Sequence, residues 1–247
     1  MSMFKDQINQ ERLPKHVAVI MDGNGRWAKK IGKARIFGHR NGVKAVRETA
    51  EAAAELGIEH LTLYAFSTEN WNRPKLEVSA LMMLLVDTLK KEINTLNKNN
   101  IKLHAIGDLT KLPKKTYKAL MDGMESTKNN TRMTLHLALN YSSRWEIIEA
   151  TKKIAVLAKE EKIDPNNVDE TEFDKHLATA GIPDPELLIR TSGERRLSNY
   201  LLYQLAYTEL YFTDNYWPEF RKVDFYKALI DFQMRERRFG MTSDQIG

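Results

Sequence analysis

Hydrophobic and polar positions along the chain alternate between a pattern typical of buried strands and one typical of amphipathic helices. Short apolar runs, several rich in β-branched residues, predict strands at 17–21, 60–66, 101–106, 132–139 and 186–191, followed by an apolar segment at 207–213. Helical spacing of apolar residues predicts helices at 42–56, 77–98, 113–127, 144–159, 170–179 and 223–237. Because the two kinds of element alternate, we predict an α/β fold with a mainly parallel central sheet flanked by helices.

The length of 247 residues suits one α/β domain. No repeat, low-complexity tract or change in composition marks a second domain, so we expect a single domain over 1–247, with residues 1–15 as a flexible N-terminal segment. The longest stretch without charged residues, 197–208, is shorter than the roughly 18 apolar residues of a membrane span. The N-terminus also lacks the apolar core of a signal peptide. We therefore expect a soluble, cytoplasmic protein that touches a membrane only peripherally, at its inner face.

The composition restricts the possible chemistry. The chain has 38 Lys and Arg against 33 Asp and Glu, a net charge of +5 that favours anionic partners without naming them. It has no cysteine, which excludes disulfides, thiolate metal sites and cysteine nucleophiles and favours a reducing compartment. Any metal must therefore be bound by oxygen or histidine ligands.

Two of the predicted helices allow two interpretations. The inward positions of helix 42–56 are mostly small, whereas helix 77–98 carries a wide stripe of Leu and Met. Both helices can be plain core, or they can form the walls of an apolar cavity. In the second case the lining residues are Ala45, Val46, Ala50, Leu81, Met82, Leu85 and Leu89.

Asp22 follows the first predicted strand and is the first candidate for a functional residue. Ligands of open α/β sheets bind outside the carboxyl ends of strands, although an Asp here can also simply cap a turn. The outline G-x-G-x-x-A in 23–28 resembles a dinucleotide-binding turn, but glycines at 32, 38 and 42 interrupt the segment that should be a helix. A cation between Asp22 and a phosphate accounts better for this carboxylate.

Groups that suit anions follow three predicted strands. Arg26, Arg35, His39 and Arg40 follow the first, the polar segment 67–73 follows the second, and a third cluster contains Arg190, Arg195, Arg196 and Ser198. Glu209 can offer a second carboxylate to the same cation or pair with an arginine. Three such strand ends beside an apolar cavity indicate a substrate with a phosphorylated head and an apolar tail. Nucleic acid is the less favoured partner, because the charges are spread over loops.

The order of several long motifs resembles that of the cis-prenyltransferase family, which includes the bacterial undecaprenyl diphosphate synthases. These motifs are HVAVIMDGNGRWAKK, GHRNG, LTLYAFSTENWNRP followed by Glu77, LLIRTSGERRLSNYLLYQLAYTEL, WPEF and RERRFG. The paired aspartate-rich motifs of the trans-type synthases are missing, since no two aspartates are adjacent. The chain departs from the family pattern at Ser142 and Ser143, where NYSSR replaces the usual NYGGR.

The resemblance implies a Mg²⁺-dependent transferase that condenses isopentenyl diphosphate repeatedly onto farnesyl diphosphate. The implied product is a long-chain Z-polyprenyl diphosphate such as undecaprenyl diphosphate, the lipid carrier precursor for cell-wall polysaccharide; a shorter or different chain length is the alternative. The resemblance also implies a homodimer that does not bind nucleic acid, with the C-terminal RERRFG segment reaching toward the partner's active site. An inactive relative would be expected to lack Asp22 or the arginine cluster, and both are present.

The resemblance further assigns roles to single residues. Asp22 and Asn70 are implied as catalytic, Asn70 as a proton acceptor, and Asp22 and Glu209 as metal ligands. The implied substrate-binding residues are Gly23, Asn24, Gly25, Arg26, Trp27, Arg35, His39, Ser67, Thr68, Glu69, Trp71, Arg73, Arg190, Arg196, Leu197 and Ser198. A neutral amide such as Asn70 is a very poor base, so its expected contribution is to orient pyrophosphate or water.

Overall fold

The computed structural model describes residues 2–245 and contains one sheet of six parallel strands. The strands are β1 (His16–Ile20), β2 (His60–Ser67), β3 (Ile101–Ile106), β4 (Met133–Tyr141), β5 (Leu187–Arg190) and β6 (Glu209–Phe212). Their order across the sheet is β3-β4-β2-β1-β5-β6, and every neighbouring pair is parallel. The predicted α/β class is confirmed, and the sheet is parallel throughout the described residues.

The α-helices of the described residues lie before the first strand, between strands and after the last strand. They are α1 (Ser2–Lys5), α2 (Asn24–Lys30), α3 (Arg35–Leu56), α4 (Lys75–Lys98), α5 (Lys114–Thr127), α6 (Ser143–Lys159), α7 (Glu170–Asp174) and α8 (Lys222–Gln233). Among residues 2–245, no helix combines the length and the apolarity that crossing a membrane requires.

The two faces of the sheet carry different cores because side chains alternate along a strand. Odd-numbered positions such as Val19, Leu63 and Leu135 join the larger core, which α3, α4, α5 and α8 cover. Even-numbered positions such as Ala18 and Ala138 join a smaller core on the opposite face. The candidate cavity belongs to the larger core.

The predicted and observed elements differ most after β1. The glycines at 38 and 42 look like helix breakers, yet both lie inside α3, which begins at Arg35. They allow a close crossing with α2, a helix that the sequence pattern did not predict: a β-carbon at Gly38 would lie 1.9 Å from the carbonyl oxygen of Asn24. The helices predicted at 170–179 and 223–237 end earlier, at Asp174 and Gln233.

Part of the N-terminal segment, for which the sequence predicts flexibility over 1–15, packs on the domain at Ile8 and Asn9. Ile8 is buried in the larger core. The amide of Asn9 donates to Oε1 of Gln233 at 3.0 Å, and Nε2 of Gln233 donates to the carbonyl of Asn9 at 2.7 Å. These bonds join the segment to the end of α8. Met1 lies outside the described residues.

The serines that replace the usual glycines of the family need no glycine conformation. Ser142 has extended dihedral angles, φ −154° and ψ 146°, and Ser143 begins α6. Neither residue has a positive φ. The buried hydroxyl of Ser143 accepts a hydrogen bond from the amide of Leu202 at 3.0 Å. The departure therefore fits the fold without backbone strain.

Candidate active site

The carboxyl ends of three neighbouring strands bring the candidate residues together. In the order β2-β1-β5, β1 lies in the middle and leads to Asp22. On its two sides, β2 leads into the 3₁₀ turn Thr68–Asn72, and β5 ends at Arg190. Parallel strands present their carboxyl ends at one edge, so segments that are far apart in the sequence meet here.

Asp22 is held in a defined orientation by its neighbours. Its Oδ1 accepts from the amide of Gly23 at 2.6 Å, and its Oδ2 accepts from Nη2 of Arg190 at 2.9 Å. Nη2 of Arg26 lies 3.2 Å from the same Oδ2. The backbone is fixed as well, because the Asp22 amide donates to the hydroxyl of Thr191, which donates to the Asp22 carbonyl. The carboxylate thus keeps a fixed position at the mouth of a cavity.

The charge of Asp22 is stabilised despite partial burial. Burial alone would raise the pKa of this carboxyl group, but the hydrogen bond from Arg190 and the charge of Arg26 outweigh it and hold the pKa below its usual value. Asp22 is therefore ionised at neutral pH. An ionised carboxylate that still has 29% of its side chain exposed can bind a cation.

Arg190 is the most buried charged group of the site, with 3% of its surface exposed. Besides its bond to Asp22, Nη1 donates to the hydroxyl of Ser198 at 2.8 Å and to the carbonyl of Arg196. This side chain therefore links the loop after β1 to the loop after β5. A buried guanidinium held in this way is suited to binding phosphate oxygens.

Glu194 connects the arginines of the two loops. Its Oε1 lies 2.7 Å from Nη1 of Arg26, and its Oε2 accepts from Nη1 of Arg196. The three side chains, with Asp22 and the start of α2, line a cavity of about 350 Å³. The first N–H groups of a helix have no partners within the helix, so the start of α2 adds donors for an anion.

Polar side chains of the loop after β2 face the same cavity mouth. The amide of Ser67 donates to Oδ1 of Asn70 at 3.3 Å, so the fold already uses the oxygen of Asn70. Glu69 accepts from Nδ2 of Asn199 at 2.8 Å. Trp71 donates to Oδ1 of Asn140 at 2.7 Å and packs edge-on against Phe66. The loop is therefore anchored to β4 and to the loop after β5.

Glu77 at the start of α4 gathers two further arginines at the rim. Its carboxylate lies 3.2 Å from Nε of Arg35 and 3.3 Å from Nη1 of Arg73. His39 lines the cavity beside them. Burial, with the nearby charge of Arg73, lowers the pKa of His39 to about 4, so this histidine is neutral at neutral pH. A neutral imidazole can donate a hydrogen bond without adding charge.

An apolar tunnel of about 720 Å³ opens at this polar edge and runs between the sheet and helices α3 and α4. It extends from Asp22 and Arg190 to Ile101 and Leu135 near the amino ends of β3 and β4. Six strand residues at about 3.3 Å each give a depth of roughly 20 Å. Of the two interpretations that the sequence allows for these helices, the structure shows the apolar cavity, which lies between them and the sheet.

The predicted tunnel walls are correct at six of seven positions. The lining includes Val46, Ala50, Leu81, Met82, Leu85 and Leu89. The prediction for Ala45 is wrong, because Ala45 is fully buried in the core and does not line the tunnel. Helix phase inferred from a sequence pattern can be wrong by one position, and Ala45 is adjacent to the lining residue Val46.

Most of the sequence-predicted site residues line one of the two cavities. They are Asp22, Gly23, Asn24, Gly25, Arg26, Arg35, His39, Ser67, Glu69, Asn70, Arg73, Arg190, Arg196 and Ser198. Four others do not. Trp27 donates to Glu219 at 3.0 Å, Thr68 donates to Glu69, Trp71 bonds Asn140, and Leu197 packs against the smaller core on the opposite face. These four residues contact other parts of the fold instead of the cavities.

Glu209, the second metal ligand that the resemblance implies, does not lie beside Asp22 within one chain. Glu209 begins β6 and is in register with Leu187, whereas Arg190, at the other end of β5, is in register with Ile20. Leu187 and Arg190 are three residues apart on β5, so Glu209 and the end of β1 are offset by roughly 10 Å along the strand direction. Glu209 instead bonds Nη1 of Arg235 at 2.8 Å. Within residues 2–245, no three His, Asp or Glu side chains are arranged to hold a metal.

The sequence reasoning missed three residues that organise the site: Thr191, Glu194 and Asn199. All three lie inside the motif RTSGERRLSN, directly beside residues that were predicted. Their signal was this adjacency to Arg190, Arg196 and Ser198. In the sequence, Glu194 near several arginines looks like an ordinary solvated charge. Its role is visible only in the fold, where Arg26 contacts it.

Comparisons with known proteins identify the family. Residues 20–240 match the family model described as "Putative undecaprenyl diphosphate synthase". An isoprenyl transferase of Chlorobaculum tepidum is 51% identical over 95% of this chain and 88% of its own. A farnesyl-diphosphate-specific ditrans,polycis-undecaprenyl-diphosphate synthase of Haemophilus influenzae is 49% identical over 96% of this chain and 99% of its own.

A solved structure agrees with this result. Lavandulyl diphosphate synthase from Lavandula x intermedia, in complex with dimethylallyl diphosphate, superposes with a TM-score of 0.91 and 39% identity. The similarity covers 93% of this chain and 99% of that one. The chain therefore belongs to the undecaprenyl diphosphate synthase family of prenyl transferases.

Proposed function

We propose that the protein condenses isopentenyl diphosphate repeatedly onto farnesyl diphosphate and produces a long-chain Z-polyprenyl diphosphate, namely undecaprenyl diphosphate. The observation that carries this proposal is one continuous cavity that has Asp22 and Arg190 at its mouth and an apolar interior roughly 20 Å deep. Such a cavity matches a substrate with a charged head and a growing hydrocarbon tail. The names of the Haemophilus relatives, which specify farnesyl diphosphate, support the same choice of primer.

The allylic diphosphate is assigned to the smaller cavity at the start of α2. Arg26 and Arg35 offer guanidinium groups there, and neutral His39 offers a further polar contact. When the allylic C–O bond breaks, negative charge accumulates on the departing diphosphate. Fixed cationic side chains stabilise that charge without having to reorganise.

Isopentenyl diphosphate is assigned to Arg190, Arg196 and Ser198, which line the mouth of the tunnel; Arg196 lies at the boundary and also lines the smaller cavity. Arg190 contacts Asp22 directly, so the two head groups lie side by side at the edge of the sheet. This arrangement brings the double bond of one substrate next to the allylic carbon of the other. The double bond attacks that carbon, diphosphate leaves, and the loss of one proton from the former isopentenyl unit completes the condensation.

The residues of the site fit Mg²⁺. This cation usually keeps water ligands and is bound by one or two carboxylates together with substrate phosphates. Asp22 supplies one ionised carboxylate at the mouth, and a diphosphate supplies the other oxygens. The bound ion would supply Lewis-acid stabilisation of the leaving diphosphate. Glu209 of the same chain is not a ligand in this proposal.

Asn70 is assigned an orienting role. Its amide oxygen accepts from the backbone of Ser67, which leaves the NH₂ group as the side-chain donor available to the cavity. An NH₂ group donates and cannot take up a proton at neutral pH. Asn70 therefore orients pyrophosphate or water, and pyrophosphate or water accepts the proton.

A shorter or different product is the second candidate. The lavandulyl diphosphate synthase superposes closely on this chain, so the fold is compatible with more than one prenyl product. The depth of the tunnel favours the long chain, since its apolar lining continues to the amino ends of β3 and β4.

Homodimer formation and peripheral membrane contact complete the proposal. Large apolar side chains remain exposed on α6, at Ile148 and Val156, and in the segment between β5 and β6, at Leu202 and Tyr207. Such a surface supports a contact with a second copy. Light scattering on the purified protein measures the mass directly. A cytoplasmic location at the inner face of the membrane is consistent with a polyprenyl product.

The decisive test is incubation with Mg²⁺, farnesyl diphosphate and radiolabelled isopentenyl diphosphate, followed by chain-length analysis of the dephosphorylated products. We expect one dominant long-chain product and no turnover in the presence of a chelator. Products of only one or two condensations would favour the second candidate, and no incorporation would refute the proposed function.

A further inference from the structure

An ion pair forms part of the tunnel wall. Arg47 on α3 and Glu92 on α4 both line the tunnel, at positions among Val46, Ala50 and Leu89. Nε of Arg47 donates to Oε2 of Glu92 at 3.0 Å, and Nη2 donates to Oε1. The contact is therefore bidentate, which fixes the relative orientation of the two groups.

The exposure of the two side chains locates the pair at the outer rim of the wall. Glu92 has 16% of its side chain exposed, and Arg47 has 49% exposed. The pair thus extends from the tunnel to the solvent along the line where α3 meets α4. We call this line, at the level of Arg47 and Glu92, the seam. Most of the lining on either side of the pair is hydrocarbon, which provides no directional bond between the helices.

We propose that the Arg47–Glu92 pair closes the seam and thereby limits how long the prenyl chain can grow. This inference rests on the proposed function, because it requires a tail that lengthens inside the tunnel. A closed wall confines the tail to the tunnel volume, so elongation stops when the tunnel is full. A charged closure also disfavours the passage of hydrocarbon. To let a tail through, Arg47 and Glu92 would have to separate, and each charged group in contact with the tail would lose its partner and its water.

Breaking the pair should open a lateral exit. A tail that leaves through the seam no longer fills the tunnel, so condensation at the mouth continues and the products become longer. A pair that only ties α3 to α4 would behave differently: its loss would lower the melting temperature and leave the product length unchanged. The two roles are therefore separable in one experiment.

The chain offers a matched control on the same helix. Glu55 of α3 bonds Nζ of Lys222 of α8 at 2.9 Å, on the flank of α3 away from α4. Neither residue lines the tunnel. Glu55→Ala removes the bond to Lys222, which keeps its contact with Glu51 at 3.1 Å, and the bond to Lys5 of α1 at 3.4 Å. Neither lost bond lies at the seam, so this variant reports the effect of losing contacts between helices on stability.

The experiment compares Arg47→Ala, Glu92→Ala, the charge exchange Arg47→Glu with Glu92→Arg, and Glu55→Ala with the wild type. Each protein is incubated with farnesyl diphosphate, Mg²⁺ and radiolabelled isopentenyl diphosphate; product lengths and melting temperatures are measured on the same preparations. We expect both single variants to shift the main product upward by at least one isoprene unit. The charge exchange should restore the wild-type length, and Glu55→Ala should leave it unchanged. Glu92→Gln, which keeps the side-chain shape, replaces Glu92→Ala if that variant folds poorly.

Unchanged or shorter products from both single variants would overturn the role of the pair, whatever their melting temperatures. If the wild type nevertheless forms a defined long product, the proposed function is still supported. If the wild type itself forms no condensation product, the proposed function fails and the inference fails with it.

Discussion

A row of four histidines crosses the sheet on the face away from the tunnel, and it predicts a specific dependence of stability on pH. His16, His60, His136 and His104 lie on β1, β2, β4 and β3. Nδ1 of His60 lies 3.0 Å from Nε2 of His136, and Nδ1 of His104 lies 3.0 Å from Nδ1 of His136. His16 donates through Nδ1 to the carbonyl of Pro183, and its Nε2 accepts from the hydroxyl of Thr62. These contacts fit neutral imidazoles.

The magnitude follows from the two most buried members of the row. Burial, reinforced by the nearby His104, lowers the pKa of His136 to about 2, and burial lowers the pKa of His16 to about 4. In the unfolded chain both groups take up protons near pH 6.5. Below that pH the unfolded state binds more protons than the native state, so stability falls as the pH falls. Well below pH 6.5 each neutral histidine costs about 1.4 kcal/mol per pH unit. Because the unfolded groups are only half protonated at pH 6.5, the two together cost roughly 3 kcal/mol between pH 6.5 and 5.

The assay is guanidinium unfolding of the wild type, His136→Gln and Leu135→Val at several pH values from 5 to 8. His136→Gln should reduce the slope of unfolding free energy against pH by about 1.4 kcal/mol per unit below pH 6.5 and leave it unchanged above. Leu135 is the neighbour that faces the tunnel, so Leu135→Val should lower stability without altering the slope. Other titrating groups are common to the three proteins and cancel. Equal slopes for the wild type and His136→Gln would refute the reasoning.

Three further predictions concern activity. Asp22→Asn keeps the shape of the side chain but loses its charge, so turnover should fall by ~10²–10³ or more while circular dichroism stays unchanged; normal turnover would contradict the role of the charge. Arg196→Ala should raise the KM for isopentenyl diphosphate by roughly 10- to 100-fold and the KM for farnesyl diphosphate much less, since one charge-assisted bond is worth ~1.5–3 kcal/mol; equal changes would mean that the two sites are wrongly divided. Ala50→Leu should shorten the product and spare the first condensation, because Ala50 lines the tunnel. Ala45 lies on the same helix but is buried in the core, so Ala45→Val should change only stability. Full-length product from stable Ala50→Leu protein would argue against the tunnel.

The sequence predicts those parts of the molecule that depend on local periodicity. Leu81, Leu85 and Leu89 recur every four residues on one helix, so their shared side follows from helix geometry alone. All three line the tunnel. The strands are predicted to within about two residues for the same reason, because short apolar runs between helical segments are locally distinct.

Contacts that depend on the order and register of strands could not be predicted in this way. Asp22 and Arg190 are 168 residues apart and meet because β5 lies beside β1. Glu209 was correctly placed in the last apolar segment, but its distance from Asp22 depends on where β6 begins. The pattern of apolar residues shows where a strand lies in the sequence. It does not show the register of that strand, so it cannot tell at which end of the sheet a polar residue of the strand lies.

The parallel sheet explains why head and tail are handled by separate parts of one site. All strands end at the same edge, so the charged loops collect there, while the odd-numbered side chains of β2, β3 and β4 form an apolar floor behind them. In the proposed function, the reaction centre therefore stays at this edge and the tail extends toward the amino ends of the strands. Changes in the loops should alter rate and affinity, and changes in α3 and α4 should alter length. In the proposed function, the two helices that limit product length can thus be varied without disturbing the chemistry proposed for Asp22.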